Sequence, residues 1–189
     1  MEEKNLIKNL KEGDENAFKF LVKNYKGFIF NTSLPIIQNT EEADDLTQEV
    51  FIQVYKSING FKGNSSLSTW IYRITVSKCF EYLRFKKRKK RFSQIINLFR
   101  EDGTTIDIPQ FDHPGVQLEK KEDARLLFEA IESLNEEQKT AYILKNIQGL
   151  SYKKISKVMD KSTSSIESLI FRAKKNLKKY LEKKLNDKK

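Results

Sequence analysis

Cysteine and histidine are almost missing from this chain, and each shortage removes a class of function. One cysteine in 189 residues leaves no partner for an internal disulfide, so Cys79 reads as a small buried apolar side chain. One histidine, His113, has no second His or Cys at ligand spacing, so no zinc site is expected. No run approaches the 18 consecutive apolar residues of a membrane span. The opening MEEKNLIKNLKEGDENA also lacks the apolar centre of a signal peptide. Seven glycines, three prolines and no sustained β-type alternation point to helices. No convergent acid, base and nucleophile stand out. The expectation is a cytoplasmic, all-α, non-enzymatic protein with no catalytic residues, metal or other cofactor, and no membrane insertion.

What is abundant is positive charge. Thirty-six Lys and Arg against 26 Asp and Glu give a net +10, which asks for a polyanionic partner, either nucleic acid or an anionic membrane surface. From Arg172 to the end, nine basic residues face two acidic ones, so most of the excess sits at that end.

The stretch from Asp44 to Arg91 changes character three times. Leu46, Val50, Phe51, Val54, Tyr55 and Ile58 recur at helical spacing and form a buried stripe. Asp45, Gln48, Glu49 and Gln53 then fall outward, an acidic and amide-rich face suited to docking something basic, although such a face is also an ordinary solvated surface. The segment from Asn59 to Ser66 holds two glycines and short polar side chains, which exclude regular structure. A helix over about residues 67–85 follows. Leu67, Ile71, Ile74 and Phe85 make one apolar face, and Tyr72, Val76, Cys79 and Leu83 the opposite one. Between them runs a polar stripe of Arg73, Ser77 and Arg84, flanked by Trp70 and Glu81. Cations beside aromatic rings suit phosphates and an unstacked base, while Trp70 by itself fits a core equally. Seven basic residues in the eight from Arg84 to Arg91 close the segment.

Asp14 can cap an earlier helix whose stripe is Phe18, Leu21, Val22, Tyr25, Phe28 and Ile29, with Pro35 kinking or ending it. Asn39 or Thr40 caps the next. Glu41, Glu42, Asp44 and Asp45 cluster there, and capping and docking account for them better than magnesium does. Residues 92–117, with two of the three prolines, read as a flexible linker in which Phe92, Ile95, Ile96 and Phe99 can form a turn or two. Two small helical domains are therefore expected, 1–91 and 118–189. In the second, Leu127, Ala130, Ile131 and Leu134 make a stripe, and Asn135 and Gln138 a capping box for a helix burying Ala141, Leu144 and Ile147. Gly149 ends it, Ser151 opens a short helix, and Asp160 turns the chain into a long basic one. A short helix, a tight turn and a longer basic helix form a helix-turn-helix. The outward face of its last helix carries Glu167, Ser168, Phe171, Arg172, Lys175 and Lys179. Arg172 suits guanine or phosphate and Phe171 a thymine methyl, while Glu167 is either a cytosine acceptor or, with Ser164, a capping box.

The order DDLTQEVF, FKGNSSLSTWIYRI, EYLR and a basic run, followed by GLSYKKISKVM and SSIESLIFRAKKNL, resembles the sigma-70 family of bacterial RNA polymerase initiation factors, in its extracytoplasmic-function class. The resemblance covers about residues 10–91 and 118–185. It implies that the helix with Asp45, Gln48, Glu49 and Gln53 binds core polymerase. It implies capture of the melted −10 strand by Asn64, Ser65, Ser66, Trp70, Arg73, Ser77 and Arg84. It implies that Ser164, Ser165, Glu167, Ser168, Phe171, Arg172 and Lys175 meet the duplex −35 element, and that an anti-sigma factor is a partner. The chain departs from the class at Ser77, commonly Asn, and Glu81, commonly Asp. A stand-alone helix-turn-helix regulator is the rival reading, and it leaves the acidic face, loop and aromatics of the first half without a role.

Overall fold

Helix starts follow the caps written in the sequence. α1 (Glu3–Lys11) leads into α2 (Glu15–Ile37), where the Asp14 carboxylate accepts from the N–H groups of Asn16 and Ala17. Asn39 caps α3 (Thr40–Ser57), and a single 3₁₀ turn (Ile58–Gly60) leads to α4 (Leu67–Leu98). Then come α5 (Leu118–Glu132), α6 (Glu136–Tyr142), α7 (Tyr152–Met159) and α8 (Thr163–Asn186). Asn135 and Ser151 cap α6 and α7 through the N–H groups of Gln138 and Lys154. This computed structural model describes residues 2–98 and 118–186, and the side chains of 2–89 and 125–186. The expectations for Phe92, Ile95, Ile96 and Phe99 as packed side chains, for His113, and for Lys188 and Lys189 lie outside those residues. The described residues form two helical sets, α1–α4 and α5–α8, with no strand among them.

Several details depart from the sequence reading, each for a local reason. α4 does not stop near Phe85 but runs on to Leu98, because nothing between holds a Gly or Pro to break it and exposed charge does not end a helix. The segment after α3 begins with one 3₁₀ turn rather than irregular chain. Tyr55 is 56% exposed, since the inward direction of α3 is set by Ala43, Leu46, Val50 and Val54, and its ring only leans edge-on against Phe18 at 5.4 Å. Phe85 is 58% exposed: it points as Leu67 does, but lies about 27 Å further along the helix. Ile147 is 43% exposed because α6 passes into one π turn, Ile143–Ile147, which shifts the phase of its last side chains. Gly149 at φ +67 ends that helix, and the N–H of Leu150 reaches back to the Leu144 carbonyl.

The two helical sets share apolar packing. Ala130, Ile131, Leu134, Ile143, Ala173 and Leu177 join the core built on Leu21, Ile29, Val50 and Ile71. In the opposite sense, Tyr72 of α4 joins Leu144, Leu150, Ile155 and Ile166. Pro35 lies inside the last turn of α2 and has no N–H to give to the Asn31 carbonyl. That carbonyl accepts from the Gln148 side chain at 2.7 Å, and Gln38 Nε2 donates to the Phe128 carbonyl at 2.9 Å. Gln38 closes α2 at φ 60, the left-handed conformation of a C-cap.

Candidate nucleic-acid interface

Three surfaces carry the side chains singled out by the sequence. On α3, Asp45, Gln48 and Glu49 are exposed and Gln53 is half-buried. Ile52, 53% exposed, and Tyr55 extend that face with apolar area. Ile52 was legible as an apolar residue off the buried stripe. Lysines edge the carboxylates: Lys78 stands 3.7 Å from Glu49, Lys26 3.5 Å from Asp44, and Lys86 2.9 Å from Glu42. Of the four clustered carboxylates, Glu42 and Asp44 are thereby taken up in ion pairs. Burial, and after it the Glu42 carboxylate as hydrogen-bond partner, push the Tyr82 hydroxyl far above the ordinary phenol range.

The second surface is the loop before α4 and the stripe along it. Gly63 at φ +74 makes the sharp turn that an L side chain resists, and Lys62, Gly63 and Asn64 stand exposed. Ser65 is half-buried. Ser66 is occupied as a cap: its hydroxyl takes the Thr69 N–H at 3.2 Å and meets the Thr69 hydroxyl at 2.8 Å. Trp70 is half-buried, its ring 5.1 Å from that of Phe61. It is thus both core and surface, one edge packed and the other accessible. Ser77 bonds Glu81 at 3.1 Å, and the Arg84 Nε–H returns to the Phe80 carbonyl at 3.2 Å. Arg84, Lys87 and Arg88 with Glu81 line a shallow, mostly cationic recess. Arg73 stands apart from Ser77 and Arg84, because Nε and Nη2 of its guanidinium both donate to the Lys157 carbonyl on α7. Beside it, Tyr72 is 2% exposed, 3.9 Å from the Phe28 ring, with the Lys154 ammonium over its face. Burial raises the Tyr72 hydroxyl to about 12. Behind the stripe, Cys79 is fully buried, and desolvation holds its thiol at about 12, which makes it inert.

The third surface is the N-terminal half of α8. Asp160 takes φ 53, turning α7 into α8 within three residues. Ser162, not Ser164, caps α8: its hydroxyl accepts the Ser165 N–H at 3.2 Å. Glu167 therefore has no place in a capping box, which would need its carboxylate three residues after the cap. Glu167, Ser168, Phe171 and Arg172 line a shallow recess, and Phe171 is 70% exposed. Ser164 and Lys175 are exposed beside it, and Ser165 is half-buried.

Comparison with known proteins matches two segments of the chain to described families. Residues 21–89 match the family model described as Sigma-70 region 2, and residues 124–177 that described as Sigma-70, region 4. The chain is 31% identical over 181 residues to the ECF RNA polymerase sigma-E factor of Haemophilus influenzae, with 94% of each covered. Its fold resembles that of CnrH in complex with the cytosolic domain of CnrY, at TM-score 0.69 and 18% identity over 95% of this chain and 97% of that one. It also resembles the sigma factor RpoE of Bartonella quintana, solved in complex with the anti-sigma factor NepR, at TM-score 0.63 and 19% identity over 87% and 96%.

Proposed function

We infer how the work is divided within this molecule from one premise: the chain belongs to the sigma-70 family, in its extracytoplasmic-function class. It directs core RNA polymerase to promoters and promotes melting at the −10 element. Residues 1–91 bind core polymerase and the −10 strand, 92–117 link, and 118–189 bind the −35 duplex. Asp45, Gln48, Glu49 and Gln53 dock on polymerase, with Ile52 and Tyr55 adding the apolar area that a stable contact needs. Asn64, Ser65, Trp70, Arg73, Ser77 and Arg84 hold the unpaired strand, with Ser66 shaping the loop as its cap. Glu167, Ser168, Phe171, Arg172 and Lys175, with Ser164 and Ser165 at the helix start, meet the −35 duplex. The protein has no chemistry of its own, works in the cytoplasm, and is a target for an anti-sigma factor, as the Bartonella relative is.

The observation that carries the −35 assignment is Phe171, a large aromatic left 70% exposed among Glu167, Ser168 and Arg172 in the N-terminal half of a basic helix. A solvated face has no use for it, and a thymine methyl does. The described packing also bears on use. Two elements named 25 positions apart lie about 85 Å apart on straight duplex at 3.4 Å per base pair. Arg73, from the −10 stripe, touches α7 of the helix-turn-helix. Serving both elements at once therefore requires the two helical sets to part. Run-off transcription with bacterial core polymerase on a promoter library tests the reading. Transcripts should depend on this chain and share two sequence elements at fixed spacing. Tight duplex binding by a dimer, without polymerase-dependent transcripts, would sink it.

A further inference from the structure

The loop that exposes Lys62, Gly63 and Asn64 is short, and α1 fastens both of its ends. Lys11 Nζ donates to the Phe61 carbonyl at 2.9 Å, where the 3₁₀ turn stops. At the other end, the Glu3 carboxylate accepts the Leu67 N–H at 3.2 Å, from 64 residues away. That N–H is the first of α4 and has no intrahelical partner, and a carboxylate at a helix N-terminus is favoured by charge as well as by the hydrogen bond. Glu3 and Lys11 are eight residues apart, a rise of about 12 Å, with Leu6 and Leu10 buried in the core between them. α1 thus spans the loop like a bracket: its apolar face is fixed, and its two charged ends hold a carbonyl and an N–H. Phe61 is 6% exposed and packs on Trp70, so the Lys11 contact also sets one wall of the surface on which a base would stack.

We propose that Glu3 and Lys11 are positioning residues for −10 recognition, fixing the shape of the 61–67 loop without touching DNA. The inference rests on the reading of that loop as part of the −10 site. Neither side chain lies among the surfaces assigned above, and neither belongs to the core, because both are exposed. Gly63 leaves the loop's backbone free to move, so its geometry depends on what holds its ends beside the Ser66 cap. A loop loose at either end would still fold. It would present Asn64 and Trp70 in many arrangements, and discrimination among bases would fall.

The test uses holoenzyme assembled from core polymerase and the full chain, on a template library randomised across the −10 element and held unpaired by mismatches. The readout is the ratio of transcripts from the wild-type preferred sequence to those from the library average. Lys11→Met, which removes the donor, and Glu3→Gln, which keeps the acceptor and removes its charge, should each lower that ratio about fivefold, the net scale of one ordinary hydrogen bond. Affinity for core polymerase should stay as in wild type and the thermal midpoint within about 4 °C of it, and Lys11→Arg should restore the ratio. Trp70 is the sole tryptophan, so its emission in the free chain should shift to the red in Lys11→Met as Phe61 loosens. An unchanged ratio overturns the proposal, as does a loss that tracks a lowered midpoint or is equal on every template. Asn64→Ala run in parallel separates the two failures. If it alters base preference while Glu3→Gln and Lys11→Met do not, the loop reading stands and the role of α1 falls. If Asn64→Ala also leaves preference intact, the loop reading fails and takes this inference with it.

Discussion

Tyr72 is the first-half residue on which the shared packing most visibly turns, and two substitutions there separate its ring from its hydroxyl. The ring is 2% exposed, lies 3.9 Å from Phe28, and is the α4 contribution to a cluster otherwise formed by α6–α8. Truncating a buried aromatic to Ala costs about 3–5 kcal/mol. For a chain of this length each kcal/mol moves the midpoint by about 2–4 °C, so Tyr72→Ala should unfold about 6–20 °C early. The hydroxyl is 3.5 Å from the Gln148 side chain, the outer limit of a hydrogen bond. Tyr72→Phe should therefore cost under about 1 kcal/mol and stay within about 4 °C of wild type. Because the ring links the two helical sets, Tyr72→Ala should also divide one cooperative transition into two. Circular dichroism at 222 nm and calorimetry on the full chain read both effects. A Tyr72→Ala protein that melts as a single transition within about 2 °C of wild type would refute the packing account.

Other outcomes follow from the same geometry. Asp45→Lys with Glu49→Lys should abolish co-purification with core polymerase while leaving helical content intact; assembly at wild-type affinity would remove α3 as the docking face. Arg172→Ala should cost about 1–3 kcal/mol in −35 binding and relax preference at one base pair. Lys179→Ala should instead weaken all duplexes alike and make the salt dependence shallower by about one unit, which a titration across salt concentrations distinguishes. Pro35→Ala restores an N–H for the Asn31 carbonyl, so Gln148→Ala should cost about 1 kcal/mol in the wild-type chain and close to nothing in the Pro35→Ala background. Equal costs in urea unfolding of the two pairs would show that the freed carbonyl contributes nothing.

Local signals were the ones legible in the sequence. Asp14, Asn39, Asn135 and Ser151 cap where they stand, and Gly149 and Asp160 take left-handed turns, because a cap is decided by residues within one turn of it. The outward face of α8 followed from periodicity alone, since that helix is regular from Thr163 onward. Periodicity failed where a helix changed pitch or outran its neighbours, as at Ile147 and Phe85. Tyr55 failed differently, lying at the margin of a stripe whose centre is set by smaller side chains. The assignment of Ser164 as a cap was wrong by two residues, and with it went the structural alternative for Glu167. The contacts of Arg73 with Lys157, of Gln148 with Asn31 and of Lys11 with Phe61 span 84, 117 and 50 residues. No periodicity within a segment encodes them, because they depend on how whole helices dock.

α4 sets a length as well as a surface. Arg73 and Arg88 lie on one uninterrupted helix, fifteen residues and about 22 Å apart. On duplex DNA that distance is about six to seven base pairs. On the proposed reading of the stripe, the distance from the base it holds to a phosphate met by the cationic end is set by a rod, and no loop can adjust it. Inserting one alanine in that rod turns everything beyond it by about 100° and advances it by about 1.5 Å, so its cationic end falls out of phase with the stripe. Under that proposal, the spacing between the two contacts along the DNA is a matter of helical rise.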